Sequence, residues 1–268
     1  MSSDLEFAVS LADLADELAL ARFGALDLQV ETKLDLSPVT ETDRAIEQAL
    51  RELIAAERAG DVVLGEEEGS SGEGGRRWIL DPIDGTRNYS RGIPIFATQI
   101  ALEVEGEVEL GLISAPALGR RWWAERGKGA FHSDGPIHVS DVTKIEDATV
   151  SIGFGHRMKV SSVTRLEDAV VSFELDEGIE RVAPLVERAW HARSFGDFWQ
   201  HMLVAEGLVE VAVDPTVKIW DCAPLKLIVE EAGGKFTDMA GRAVIDGGSG
   251  VSTNGLLHAE ALGALGVG

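Results

Sequence analysis

The sequence has 268 residues, enough for one large or two modest domains, and its 45% hydrophobic and 26% charged content is typical of a globular protein. Its 46 acidic and 24 basic residues give a formal net charge of −22, which argues against nucleic acid as a partner. With one cysteine, no cationic leader pattern at the N-terminus and no uncharged apolar stretch of about 18 residues, we expect no intrachain disulfide, no membrane span and a cytoplasmic location.

The first half of the chain changes from helical to strand periodicity. Apolar residues recur at helical spacing over residues 5–19 and 45–54, which predicts two amphipathic helices. Short apolar runs separated by turn residues follow, and residues 95–114 predict an antiparallel hairpin. We therefore expect residues 1–147 to form an N-terminal α+β subdomain with two helices beside a mostly antiparallel sheet.

The second half mixes strands and helices along its length. Residues 149–152 predict an opening strand, and residues 208–213 predict a largely buried one. Helices are predicted over residues 197–206 and 221–232. We expect residues 148–268 to form a C-terminal α/β subdomain that shares a cleft with the first.

The most informative segment is residues 78–86, Trp-Ile-Leu-Asp-Pro-Ile-Asp-Gly-Thr. An apolar strand there places two carboxylates, Asp81 and Asp84, at its carboxyl end, and Pro82 restricts the turn between them. Gly85 allows backbone to approach a ligand closely, and a helix starting there would offer free N–H groups to an anion. Taken alone, the segment is equally well explained as an ordinary turn, because Asp, Pro and Gly are turn residues.

Further carboxylates occur at the ends of other predicted elements. Glu66 follows a second apolar strand, and Asp221 opens a predicted helix. Three or four carboxylates beside a phosphate-sized pocket are typical of a magnesium-dependent phosphate hydrolase, whereas the six histidines lack the paired spacing of a zinc site. Individually, residues 66–68 are better explained by a solvated loop and Asp221 by a helix N-cap, so the hypothesis depends on all three segments occurring together.

Three motifs together resemble the magnesium-dependent inositol monophosphatase family. They are residues 65–67, residues 78–86, and residues 220–225 with their continuation over residues 230–234. Their order and spacing agree with that family over nearly the whole chain. The resemblance implies an α+β fold with a layered αβαβα architecture, two or three Mg²⁺ ions per site, and hydrolysis of a phosphate monoester by direct attack of an activated water.

The same resemblance implies a role for each matching metal-site residue. Glu66, Asp81 and the backbone carbonyl of Ile83 would hold the first cation, and Glu66 would help hold a third through water. Asp81, Asp84 and Asp221 would hold the second cation. Asp84 and Asp221 would also contact the substrate.

Four other positions are implied to act on water and phosphate. Thr86, paired with Asp43, would help activate the attacking water. The amides of Gly85 and Thr86 would bind the phosphate oxygens. Lys33 resembles a basic residue near the phosphate, although by sequence alone a solvated surface lysine is the better explanation.

The substrate's other end is implied to contact the stretch that contains Arg193, Gly196 and Asp197. Asp197 departs from the small residues that inositol-type members often carry there and resembles members that act on histidinol phosphate. Asp214 falls where the family places a substrate-contacting carboxylate. Two carboxylates suit a cationic ammonium or imidazole, and residues 114–123 also resemble the actinobacterial histidinol phosphatase branch. We therefore expect a histidinol-phosphate phosphatase.

Several alternatives stay open at this point. Within the family, the alternative is an inositol-1-phosphatase or a broad sugar phosphatase, and Asp197 is equally well explained as a helix N-cap. A non-catalytic cation-binding protein is a more remote alternative, because ion binding alone does not require Thr86, Asp43 and Lys33. Members of the family commonly dimerise, so we expect a homodimer, and the tryptophans at 122 and 123 suit either an interface or the core.

Overall fold

The computed structural model describes residues 3–33, 37–153 and 178–266. Within these ranges the helices are α1 (Asp4–Arg22), α2 (Glu41–Glu57), α3 (Thr86–Ser90), α4 (Gly178–Arg188), α5 (Asp197–Ala205), α6 (Ile219–Glu231) and α7 (His258–Ala264). In the same ranges, no helix is both long enough and apolar enough to cross a membrane.

The strands are short in most of the chain and longest in the central hairpins. They are β1 (Val30–Thr32), β2 (Pro38–Thr40), β3 (Val62–Gly65), β4 (Gly69–Ser70), β5 (Arg76–Asp84), β6 (Ala97–Val104), β7 (Glu107–Ala115), β8 (Arg120–Glu125), β9 (Ala130–His132), β10 (Gly135–Ile137), β11 (Thr149–Ile152), β12 (His191–Arg193), β13 (Val211–Asp214), β14 (Lys235–Thr237) and β15 (Gly250–Thr253).

Two large sheets organise these strands. The eight-stranded sheet has the order β10-β9-β8-β7-β6-β5-β3-β4 and is antiparallel except for the β3–β5 pair. The five-stranded sheet has the order β12-β11-β13-β15-β14, with β11 parallel to both of its neighbours. The predicted hairpin over residues 95–114 is confirmed as β6 and β7.

The helices form three layers around the two sheets. Helices α1 and α2 cover one face of the eight-stranded sheet, α5 and α6 lie between the sheets, and α4 and α7 cover the far face of the five-stranded sheet. Side chains that mark the three interfaces are Phe7 and Trp78, Phe198 and Trp122, and Leu185 and Val211. The predicted αβαβα architecture is therefore confirmed, and fully buried Trp122 belongs to the core.

Local sequence signals explain where the site-bearing helices begin. The Thr40 side chain accepts the N–H groups of Thr42 and Asp43, and Asp43 in turn accepts the Thr40 N–H, so a capping box starts α2. Helix α6 starts at Ile219, two residues before Asp221, because Asp221 accepts the N–H of Lys218. Both caps use acidic residues that the sequence also marks as site candidates.

The structure differs from the predicted elements at one buried strand and leaves the domain division untested. Strand β13 begins at Val211, because Leu208 is exposed and its N–H closes the turn after α5 by donating to Leu203. The first sheet lies within residues 62–137 and the second within residues 149–253, while α6 packs against both. The division at residues 147 and 148 stays a prediction.

Candidate metal and substrate site

Strand pairing brings two of the predicted acidic segments to one edge of the sheet. Strand β3 runs parallel to β5, with Gly65 beside Leu80. Glu66 and Asp81 are the next residues along the two chains, so they lie at the same edge of the sheet. The β5–β6 register shifts between Asp81 and Asp84, and Gly85 then takes a left-handed φ of 80°. A Cβ on Gly85 would lie 2.9 Å from the Ile95 carbonyl oxygen, so both the backbone angle and the space favour glycine.

Three carboxylates converge at this edge. Ligand oxygens of Asp81, Asp84 and Asp221 all lie within 4.8 Å of one another, with Asp221 contributed by the first turn of α6. These are the residues that the resemblance implies for the second cation. The sequence could not place Asp221 beside β5, because this proximity depends on α6 packing between the sheets.

The electrostatics of this cluster fit a bound cation. Burial and the negative charges of its neighbours raise the pKa of Asp81 and Asp84 well above the usual range, and burial raises that of Asp221 to about 7. Oδ1 of Asp81 is buried and has no hydrogen-bond partner among the described residues. Hard divalent cations such as Mg²⁺ take oxygen ligands, so an all-carboxylate set with an unpaired buried oxygen suits one.

Glu66 and Lys33 lie beside the cluster as an ion pair. The Lys33 Nζ is 2.7 Å from Glu66 Oε1 and 2.6 Å from Glu67 Oε1. The side chain of Lys33 is 22% exposed and that of Glu67 only 7%, so the solvated-surface explanations of these two residues are wrong. Of residues 66–68, only Glu68 has a mostly exposed side chain.

Thr86 lies between the turn of β5 and α2. Its hydroxyl is 3.2 Å from Asp43 Oδ1 and 2.9 Å from the Ile83 carbonyl oxygen, and it has one proton to donate to either. Asp43 is fully buried, and burial raises its pKa to about 6. The pairing of Thr86 with Asp43 implied by the resemblance is thus present as a hydrogen-bond contact.

Glu47, which sequence reasoning missed, supports the loop that carries Glu66. Its fully buried carboxylate accepts the N–H groups of Glu67 at 2.7 Å and Glu68 at 3.0 Å. Arg51 donates to the same carboxylate at 2.7 and 2.9 Å. A Cβ on Gly65 would overlap this carboxylate, so the loop lies directly on it.

Asp197 is the first residue of α5 and does not cap it. Gly196 occupies the N-cap position, and Asp84 at the end of β5 accepts the N–H of Phe198 at 2.6 Å. The Asp197 carboxylate instead accepts the Asn88 amide at 3.1 Å. Asp197 also has a left-handed φ of 49°, which is uncommon for a residue with a side chain. The N-cap explanation of Asp197 is therefore wrong.

Asp214 and Arg193 are the other two charged residues predicted to contact the substrate. Asp214 ends β13, and its negative charge contributes to the raised pKa values of Asp84 and Asp197. Burial is the main cause for Asp197, whose pKa is raised to about 6. Arg193 ends β12 with an exposed side chain that donates to the Ala192 carbonyl. No contact between Arg193 and the acidic cluster is present in the described part of the chain.

Two helices show how spacing alone could have revealed further site residues. Glu47 lies four residues after Asp43 on α2, and His201 lies four residues after Asp197 on α5, so each shares a helix face with a predicted site residue. Gln99 gave no such signal. It is fully buried opposite Asp81 in the β5–β6 register, and neither atom of its amide is hydrogen-bonded within the described residues.

Comparison with known proteins identifies the family. The family model described as the inositol monophosphatase family matches residues 1–266. The chain belongs to the inositol monophosphatase family. The resemblance inferred from the three motifs is confirmed.

Among members of this family, similarity is high to proteins named histidinol-phosphatase. The chain is 48% identical to one from Mycobacterium tuberculosis, covering 99% of this chain and 98% of that protein. It is 44% identical to one from Streptomyces coelicolor, covering 98% and 96% respectively. A solved structure of an IMPase from Thermotoga maritima matches with a TM-score of 0.83 at 30% identity, covering 99% of this chain and 97% of that one.

Proposed function

We propose that this protein is a magnesium-dependent phosphatase that converts histidinol phosphate and water to histidinol and phosphate. The observation that carries the proposal is a partly buried carboxylate, Asp197, whose Oδ2 lies 3.4 Å from where a Cβ on Gly85 would be, beside the Asp81, Asp84 and Asp221 cluster. A negative charge there suits a phosphate ester with a cationic alcohol. Relatives named histidinol-phosphatase at 48% and 44% identity support the same substrate.

Asp81, Asp84 and Asp221 would hold magnesium, with Glu66 and the Ile83 carbonyl as further ligands. Magnesium supplies charge neutralisation of the phosphate and activates a water for attack on phosphorus. A bound cation explains why the carboxylates of Asp81, Asp84 and Asp221 face one another in a partly buried space, since their mutual repulsion is relieved by a cation or by protonation.

Thr86 and Asp43 would orient the attacking water. With Asp43 accepting the Thr86 proton, the hydroxyl oxygen of Thr86 is free to accept a hydrogen bond from water. Thr40 donates to the other oxygen of Asp43 through both its N–H and its hydroxyl, so the carboxylate has a fixed position. The amides of Gly85 and Thr86 and the ammonium of Lys33 would bind the phosphate oxygens.

The substrate preference is tested by a panel of phosphate esters. We expect kcat/KM to be much higher for histidinol phosphate than for inositol 1-phosphate. In Asp197→Asn, which suits the left-handed backbone and keeps an acceptor for Asn88, kcat/KM for histidinol phosphate should fall about tenfold or more. That for inositol 1-phosphate should change less than about twofold. A preference for inositol 1-phosphate in the unmodified enzyme, or an equal loss on both esters in the variant, contradicts the proposal.

Glu47→Gln tests whether α2 supports the metal-binding loop. The substitution removes the charge that pairs with Arg51. Because Glu67 and Glu68 donate to different oxygens of Glu47, the amide nitrogen of glutamine places a donor against one of these two N–H groups. We expect magnesium affinity to fall about tenfold, as measured by the Mg²⁺ dependence of activity and by the magnesium-induced shift in Tm. Glu52→Gln, an exposed change on the same helix, is the control. Unchanged magnesium dependence in Glu47→Gln would show that the loop does not need this carboxylate.

Other parts of the proposal rest on the family resemblance. They are two or three magnesium ions per site, a homodimer in solution, and two subdomains divided near residue 148. Calorimetric magnesium titration measures the first, and light scattering of the purified protein measures the second.

A further inference from the structure

His201 connects the substrate side of the cleft to the second sheet. It lies on α5 one turn after Asp197, and its side chain is 1% exposed. Its Nδ1 is 2.6 Å from the Ser252 hydroxyl oxygen, and its Nε2 is 2.8 Å from Asp214 Oδ2. A carboxylate only accepts, so Nε2 carries the proton given to Asp214, and in the neutral imidazole the Ser252 hydroxyl donates to Nδ1.

The second oxygen of Asp214 is also confined. Gly153 lies against Oδ1, and a Cβ at position 153 would overlap that oxygen. The side chain of Asp214 is 13% exposed, so it retains one small accessible edge. With one oxygen fixed by His201 and the other packed on Gly153, the carboxylate has a single orientation.

Asp214 also lies near the carboxylates of the metal and substrate site. The charge of Asp214 acts on the carboxyl groups of Asp84, Asp197 and Asp221, so these groups share one electrostatic environment. Asp197 and His201 are one turn apart on α5, and His201 contacts Asp214, so the imidazole connects the helix that carries one acidic substrate candidate to the other candidate. Ser252, by contrast, lies on β15 and is fully buried.

We propose that His201 is a positioning residue that fixes Asp214 to receive the cationic end of the substrate. The inference rests on the proposed histidinol phosphatase function. A carboxylate held by a buried donor keeps its orientation when substrate is absent, so less ordering is required on binding. The phosphate end is assigned to the metal cluster, so loss of this contact is expected to act mainly on the other end of the substrate.

Two substitutions of His201 distinguish the loss of the hydrogen-bond donor to Asp214 from the loss of the imidazole ring. Glutamine places an amide nitrogen near the position of Nε2 and keeps a donor for Asp214, whereas asparagine is shorter and loses it. In His201→Asn we expect KM for histidinol phosphate to rise about tenfold with kcat changed less than about threefold. His201→Gln should return KM to within about threefold of the original value. The inhibition constant of inorganic phosphate, which reports the other end of the site, should change less than about twofold in both variants.

The outcomes distinguish this inference from the proposed function. An unmodified enzyme without activity on histidinol phosphate overturns the proposed function and this inference with it. An active unmodified enzyme whose His201→Asn variant keeps its KM, or loses phosphate and substrate affinity equally, overturns only the role of His201. If His201→Asn does not fold, Ser252→Ala tests the same contacts: we expect KM to rise about threefold with the phosphate inhibition constant unchanged, and an unchanged KM overturns the inference.

Discussion

Asp81→Asn is expected to lower the rate of phosphate release about a thousandfold or more while leaving the fold intact. The family resemblance implies that Asp81 is a ligand in both principal cation sites, and its buried Oδ1 has no hydrogen-bond partner among the described residues. An amide is a much weaker ligand than a carboxylate, and each tenfold loss of rate corresponds to about 1.4 kcal/mol of lost transition-state stabilisation.

The same substitution should not destabilise the metal-free protein. Burial and the charges of Glu66, Asp84 and Asp221 raise the pKa of Asp81, so ionisation of this carboxyl costs stability at pH values above its unfolded pKa. An asparagine of the same shape removes that cost. In excess chelator at neutral pH, the Tm of Asp81→Asn should therefore be equal to or higher than that of the unmodified protein, by about 2–4 °C per kcal/mol of relieved repulsion.

Steady-state phosphate release and thermal unfolding in chelator measure the two effects. Asp147→Asn is the matched control, because Asp147 is exposed and the substitution changes the net charge equally. A kcat near that of the unmodified enzyme would falsify the role of Asp81. A large drop in Tm without metal would instead show that Asp81 is a structural residue.

Removal of magnesium should abolish activity and lower stability together. Excess chelator is expected to reduce phosphate release to background, and added magnesium in molar excess over the chelator should restore it. A cation that binds only the folded state stabilises it by about 2.7 kcal/mol at one hundred times its dissociation constant. We therefore expect a rise in Tm of roughly 5–10 °C on adding saturating magnesium.

The Asp81→Asn variant provides the control for this experiment. It should lose most of the magnesium-induced rise in Tm, because the cluster would lack one of the carboxylates that would hold the cation. Full activity of the unmodified enzyme in excess chelator contradicts a metal-dependent mechanism. A magnesium effect on Tm that is the same in Asp81→Asn would place the stabilising cation elsewhere in the molecule.

Local sequence determined those parts of the site that lie within one segment. The apolar run before Asp81 specifies a strand, and the glycine at 85 permits a left-handed turn. The predicted turn at Pro82 is instead a continuation of β5 to Asp84 with a shifted register. Capping residues likewise determined where α2 begins. The family resemblance then supplied Asp221, Asp43 and Asp214, which no local pattern connects to that turn.

Only the tertiary structure decided which isolated polar residues serve the site. Glu47 and His201 are ordinary helix residues by local pattern, yet packing makes them the partners of the 66–68 loop and of Asp214. The N-cap explanation of Asp197 is excluded because Gly196 occupies the N-cap position and Asp84, from another segment, accepts the N–H of Phe198 in the first turn of α5. Such pairings depend on how two sheets and the helices between them pack. Spacing along a helix can mark Glu47 and His201 as neighbours of a site residue, but it does not identify the long-range partner of either.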